Sequence, residues 1–454
     1  SILNHNPTEK DLWFLPLGGT GEIGMNVNLY GHNNQWLMID CGVTFNVPLN
    51  REQDEAPAVT RHNMVTADIS FIANRRDRLC GIVLTHAHED HLGAVLSQWE
   101  QLQCPIYTTA FTAEVLRRKA HRAEIQYELP IRVVEPGSVI DIGPFTVEWI
   151  PTTHSIPDAN AILISTPVAR VLHTGDWKID ANPVVGESFN RQLFKQLASK
   201  NITAMVCDST NANRPGHSLS EKDCEQGLGT LISKAKGRVV VTCFASNIGR
   251  LITLAKIAKA SNRYMCLLGP ALENMVSIAR RTGFWPDELK ITPLRHIGYL
   301  PRHEVLIVAT GSQGEPRAGL YKLALNNHRD CDLDAKDIVI FSSIVIPGNE
   351  KSVKRLTDLL KEREVTVIES ASCENTIHAS GHPNEGDLIQ LFNWVKPKCI
   401  VPVHGEPKHL LACSQIGKAQ GIKYQLVGLN GDLYSLAPSF SIRRKLINAP
   451  RIAL

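Results

Sequence analysis

The sequence predicts an α/β protein in which one fold is opened by a long insertion carrying its own parallel sheet. Three observations point there. Short apolar runs end again and again in polar or acidic residues, as strands do when their ends line a site. Through the middle of the chain, strand, loop and helix text alternate, which calls for parallel strands joined by helical crossovers. Polar strand ends then return at His378 and His404, roughly 300 residues after the first cluster. The first fold is therefore completed late, and the middle is inserted.

Length and composition set the outer limits. The 454 residues suit two or three domains with sizeable cores, and 43% hydrophobic with 20% charged residues is ordinary for a globular protein. Forty-eight Lys and Arg against 45 Asp and Glu give a net charge of +3, so an anionic partner must be held by a local cleft and not by bulk charge. The 11 Cys are odd in number and show no C-x-x-C spacing, which predicts reduced thiols and a cytoplasmic setting. There is no apolar run long enough for a membrane span and no signal-peptide pattern over residues 1–10.

In chain order, residues 12–17 read as a strand ending in the glycine-rich turn 18–24. A dinucleotide fingerprint is excluded, because residues 26–30 form another strand where that motif needs a helix. Residues 36–39 are a strand running into Asp40, either a turn residue or a carboxylate that orients a histidine. Residues 81–85 are a short buried strand, followed at once by His86-Ala87-His88-Glu89-Asp90-His91 and a helix-like stretch from Leu92. His86 and His88, two apart in an extended loop, can point to one side and share an ion. Asp90 and His91 can turn toward a second. Imidazole with carboxylate suits zinc, or manganese as the harder alternative. Three histidines and two acids at one strand end mark a metal site.

Residues 112–124 look helical, and Arg117, Arg118, Lys119 and Arg122 there are a solvated face or a nucleic-acid contact. His154 and Asp176 each follow a strand directly, as ligands or as turn residues. Strand 206–208 closes on an acid, residues 213–216 read as a linker, and Ser218 with Glu221 fits a capping box. Strands 238–242, 305–309 and 338–341 then precede small loops containing Ser246, Ser312 and Asn349, and helices. Backbone N–H groups at such helix starts can take phosphate oxygens; ordinary capped βα turns explain them equally well. The implied division is 1–212 and 365–437 for the first fold, 213–364 for the insertion, and 438–454 for a linker or tail.

These residues resemble the metallo-β-lactamase-fold hydrolases of the β-CASP group and, within it, the ribonuclease J family. His-x-His-x-Asp-His marks only the superfamily. The family is carried by Asp208-Ser209-Thr210-Asn211-Ala212, Gly311-Ser312-Gln313-Gly314-Glu315-Pro316, Ile346-Pro347-Gly348-Asn349-Glu350, His378-Ala379-Ser380-Gly381-His382 and Pro402-Val403-His404-Gly405-Glu406, in the order the family has them. The resemblance implies an αββα sandwich interrupted by a β-CASP domain, with single-stranded RNA in the cleft between them. It implies one metal on His86, His88 and His154, another on Asp90, His91 and His404, and Asp176 bridging them, with Asp40 behind. Asp208, His382 and His404 match the three motifs of the β-CASP group, and His378 matches a further histidine near the scissile phosphate. The family's usual small C-terminal domain is absent from this sequence, which bears on a homodimer and on processivity but not on the chemistry.

The expected reaction is hydrolysis of RNA phosphodiesters by a two-metal hydroxide, from the 5′ end and internally, leaving 5′-phosphate and 3′-hydroxyl ends. His378 or His382 would touch the phosphate and help O3′ depart. A preference for 5′-monophosphorylated RNA needs a pocket upstream of the metals, for which Ser380 and Gly381, with Ser246 and Ser312, are the candidates. The alternative is a small-molecule hydrolase on the same fold, such as a β-lactamase or lactonase relative, against which the size of the insertion speaks.

Overall fold

The structure is a computed structural model that describes residues 6–45 and 64–454; residues 1–5, at the start of the stretch read for a signal peptide, lie outside it. Two mixed sheets face each other. The first runs in the order Ser441–Arg443, Leu433–Ala437, Leu12–Gly18, Val27–His32, Gln35–Cys41, Leu79–Val83, Ile106–Thr108 and Ile131–Val133. The second runs Tyr424–Gln425, Cys399–Val403, Ala204–Asp208, Arg170–His173, Asn160–Ser165, Phe145–Pro151 and Val139–Ile142.

Alternation along the strands builds the interior. Phe14, Tyr30, Leu37, Ile39 and Val83 from one sheet meet Val147, Trp149, Ile162, Val171, Val206 and Val401 from the other, all fully buried. Each such side chain contributes about 1.5–3 kcal/mol of burial. The outer faces take helices: Val95–Leu102 and Ala110–Arg122 on the first sheet, Glu385–Val395 and Pro407–Ala419 on the second. This is the sandwich that the resemblance implied.

The insertion is written into the register. Ala204–Asp208 lies parallel to Cys399–Val403, with Ala204 opposite Cys399 and Asp208 opposite Val403. The chain leaves the sheet after Asp208 and returns beside it. In between sits a five-stranded, all-parallel sheet in the order Tyr264–Leu268, Val305–Ala309, Val239–Thr242, Ile338–Phe341 and Thr366–Glu369. Its strands are apolar on both faces because both are covered: Val239 and Val241 face Leu228 and Leu251, while Val240 faces Leu320 and Leu356.

Several boundaries differ from the sequence reading. Thr366–Glu369 pairs with Ile338–Phe341, so the inserted sheet continues past residue 364. Residues 438–454 are folded: Ser441–Arg443 extends the first sheet, and Arg451–Ala453 pairs with Met64–Ala67. The capping box at the first inserted helix is Ser220 with Asp223, not Ser218 with Glu221. Both pairs fit the same pattern, but the backbone N–H of Ser218 goes to Asp387 and the Glu221 carboxylate to Arg250, so the helix starts two residues later. Among the described residues, no helix is long and apolar enough to cross a membrane.

Candidate metal centre

Five strands of the sandwich bring their carboxyl ends to one edge: Gln35–Cys41, Leu79–Val83, Arg170–His173, Ala204–Asp208 and Cys399–Val403. The local backbone there is unusual. Asp40 and His404 both sit at positive φ, 64° and 54°, a conformation L-residues hold only where the surroundings impose it. For Asp40 the surroundings are Thr85, whose backbone N–H and hydroxyl both donate to the carboxylate at 2.8 Å. For His404 they are the glycine-rich turn, since its N–H donates to the Gly19 carbonyl at 2.7 Å and Gly405 bridges to Thr20 and Glu22. Gly42 has no alternative: a Cβ there would lie 1.7 Å from the Asp90 carbonyl oxygen.

The side chains converge. His86, His88, His154 and Asp176 form one group, and Asp90, His91, Asp176 and His404 a second, with the ligand atoms of each within 4.8 Å of one another. Asp176 Oδ2 lies 3.0 Å from His91 Nε2, 3.6 Å from His86 Nε2 and 3.7 Å from His154 Nε2, and its Oδ1 lies 3.2 Å from His404 Nδ1. His154 Nε2 and His88 Nδ1 are 3.1 Å apart, and His404 Nε2 is 3.6 Å from Asp90 Oδ2. Asp40 Oδ2 accepts from His91 Nδ1 at 2.6 Å, fixing that ring from behind. A third group of the same spacing, Asp176, Asp208, His382 and His404, adjoins these.

The charges sort into two halves. Burial and His91 push His86 below its ordinary range; burial and His86 push His88 down to about 3; burial with His88 pushes His154 well down. These are neutral imidazoles, the form that binds cations. On the other side burial opposes charge on His91 and His404, but Asp176 with Asp90 and Asp40, or with Asp208 and Asp90, outweighs it and raises both well above normal. Those protons stand where the buried carboxylates demand positive charge. His86 Nε2 and His404 Nε2 are buried without a hydrogen-bond partner. Neutral imidazoles, crowded carboxylates and orphaned ring nitrogens fit a pair of divalent cations, and the donor set alone does not choose between zinc and manganese.

The other predicted residues fall in two places. His382 belongs to the centre: its Nδ1 is 2.7 Å from Asp208 Oδ2, and the ring is 21% exposed. Ser380 and Gly381 adjoin it. Ser380 Oγ accepts from Asn211 and from the His382 N–H, and the Gly381 carbonyl accepts from His154 Nδ1 at 2.6 Å. A Cβ at Gly381 would sit 2.6 Å from that nitrogen, so glycine is required. His378, by contrast, keeps company with Arg250, Glu221 and Lys178, and burial with the Arg250 charge pushes it down to about 4. Ser246 precedes the helix Ile248–Ala260, whose cap is Asn247, and Ser312 is buried beside Gln313.

Besides Thr85, which holds Asp40, two contributors escaped the sequence reading. Thr210 Oγ1 donates to Asp208 at 2.8 Å and lies 3.0 Å from His404 Nδ1; its place two residues past Asp208 was the available signal. Asn26 Nδ2 lies 3.2 Å from His91 Nε2, and nothing in its strand context marks it.

Three family models match successive parts of the chain. Residues 21–188 match the metallo-beta-lactamase superfamily model, 236–360 the ribonuclease J beta-CASP domain, and 370–425 the Zn-dependent metallo-hydrolase RNA specificity domain. A ribonuclease J from Sinorhizobium meliloti is 42% identical over 95% of this chain and 75% of its own length. Those of Synechocystis sp. and Helicobacter pylori strain J99 are 34% and 33% identical over 95% and 94% of this chain, which spans 66% and 60% of their lengths. A crystal structure of a protein of unknown function from Enterococcus faecalis V583 shares the fold, with a TM-score of 0.64 at 17% identity over 94% of this chain and all of that one.

Proposed function

The chain belongs to the ribonuclease J family, and from that premise we propose that it is a metal-dependent ribonuclease of RNA processing and decay, cutting single-stranded RNA with two zinc ions. The observation that carries this is the convergence of His86, His88, His154, Asp176, Asp90, His91 and His404 on one edge, with His86 Nε2 and His404 Nε2 buried and without a hydrogen-bond partner. The first three histidines would hold one ion, Asp90, His91 and His404 the other, with Asp176 between. The nitrogen-rich first set favours zinc, and the carboxylates of the second also accommodate manganese.

Such ions, when bound, supply a water-derived nucleophile at neutral pH and neutralise phosphoryl charge. The protein supplies orientation and the proton. Asp40 holds His91 by Nδ1, and Asp208 with Thr210 holds His404 by its own Nδ1, so neither ring can turn away. His382 has its Nδ1 on Asp208, which leaves Nε2 for the cleft. Burial works against its charge, but Asp208 and Asp176 raise its pKa, which suits it to give a proton to the departing O3′. His378 is kept neutral and offers the phosphate a hydrogen bond. Cleavage then leaves 5′-phosphate and 3′-hydroxyl ends.

Ser380 and Gly381, with Ser246 and Ser312 as weaker candidates, form the proposed pocket for a 5′-monophosphate, which would serve 5′-to-3′ exonuclease action beside internal cutting. A cytoplasmic location and a homodimer complete the proposal. Product lengths and end chemistry on 5′-monophosphorylated RNA with added Zn or Mn test it. Cleavage to 5′-phosphate ends, faster than on 5′-hydroxyl RNA, is expected; turnover of nitrocefin but not of RNA would return the small-molecule alternative, which the RNA-specificity match disfavours.

A further inference from the structure

The inserted domain carries a second set of buried charges, beyond the metal centre. Arg250, in the helix Ile248–Ala260, is fully buried, and its guanidinium grips Glu221 at two points, Nε to Oε2 at 3.1 Å and Nη2 to Oε1 at 3.0 Å. Its Nη1 donates to the Ser342 carbonyl at 3.0 Å and to the Ser342 hydroxyl at 2.7 Å. That hydroxyl in turn donates to the Ile377 carbonyl at 2.6 Å, one residue before His378. On the far side, the Glu221 N–H donates to Asp180 Oδ2 at 3.3 Å, and the Asp180 N–H to Thr153 Oγ1 at 3.1 Å, next to His154. Lys178, also buried and two residues past Asp176, donates to the Leu219 carbonyl at 2.9 Å.

The bonds form one chain from the His154 and Asp176 loops, through Asp180, Glu221, Arg250 and Ser342, to the segment 377–382. A buried cation is costly unless paired, and the planar fork of arginine can grip a carboxylate at two points while a third nitrogen holds a second chain segment in fixed geometry. We propose that Arg250 is a positioning residue for the RNA-cutting site: it ties the segment bearing His378, Ser380, Gly381 and His382 to the loops bearing His154 and Asp176. The effect on turnover rests on the ribonuclease reading above; the tether itself does not.

Three variants separate positioning from mere stability: Arg250→Met, Glu221→Met with Arg250→Met, and Ser342→Ala. Unfolding midpoint, bound metal, kcat and KM on 5′-monophosphorylated RNA, and hydrogen exchange over 377–382 are measured for each. Arg250→Met leaves the Glu221 carboxylate buried without its hydrogen-bonded cation, so it should lower both midpoint and kcat. The double variant removes both charges and should regain most of the midpoint, yet keep faster exchange at 377–382 and a kcat about ten- to a hundredfold down, the scale of a small misplacement near the chemistry. Ser342→Ala leaves the Ile377 carbonyl without its donor but keeps the Arg250–Glu221 pair, so it should lower the midpoint less than Arg250→Met while still lowering kcat, and metal content should hold throughout. If kcat and exchange recover with the midpoint in the double variant, or Ser342→Ala behaves as the parent, Arg250 only stabilises and the inference falls. Should Arg250→Met not fold, the other two decide. A parent protein that holds metal but leaves RNA intact would sink the ribonuclease reading instead, and exchange at 377–382 would still judge the tether.

Discussion

Two sheet edges meet in this molecule, and they treat buried polar groups in opposite ways. At the sandwich edge, His86 Nε2 and His404 Nε2 have no hydrogen-bond partner and stand 3.6 Å from carboxylate oxygens of Asp176 and Asp90, with Asp208 close by. At the carboxyl edge of the inserted sheet, Arg250 is bonded to Glu221 and Ser342, and Gln313 to the Ile344 carbonyl, the Ile346 N–H and Asn349. An unpaired buried polar group costs about 1–3 kcal/mol, so an edge that keeps several is shaped around a ligand. An edge that pairs them is shaped to hold a position. The His378 ring, with Nδ1 buried and unpaired, lies at the seam between the two.

The contrast can be broken most sharply at its ligand side. Replacing His86 and His88 together by Ala should abolish RNA cleavage and deplete bound metal while the protein stays folded; full activity would show that the unpaired nitrogens await nothing. His382→Ala should cost roughly 10²–10⁴ in kcat, the usual worth of a general acid. Because Asp208 raises the His382 pKa, the parent rate should hold at low pH and fall as pH rises through that pKa, and this falling limb should vanish in the variant. An unchanged pH profile would move the proton elsewhere. Asp40→Asn and Thr210→Val alter the groups that hold the His91 and His404 rings from behind and should weaken metal binding by about 10–100-fold, read by titration with a competing chelator. Lys119→Ala breaks the Lys119–Glu89 ion pair at 2.6 Å, at the partly exposed rim, and should shift stability by less than about 1 kcal/mol in denaturant unfolding.

Legibility followed the same division. His86, His88, Asp90 and His91 were readable because the ligands are neighbours in sequence, so their spacing alone states the chemistry. His154, Asp176 and His404 were ambiguous singly: each is one polar residue after a strand, and only the pairing of strands distant in sequence, such as Asp208 opposite Val403, brings them together. Arg250 carried no signal in the sequence and Glu221 read as half of a capping box, since nothing in either helix says that its charge is buried. The inserted parallel sheet was legible from its alternation. Its edge strand Tyr264–Leu268 and the strands of the tail were not, and Thr366–Glu369 read as a strand of the first fold, because short apolar runs do not say which sheet they join.

Crystals grown with zinc and measured for anomalous scattering test the central claim most directly. The account predicts two peaks per chain, one among His86, His88 and His154, the other among Asp90, His91 and His404, each within bonding distance of Asp176. A single peak, or two that do not share Asp176, would contradict it.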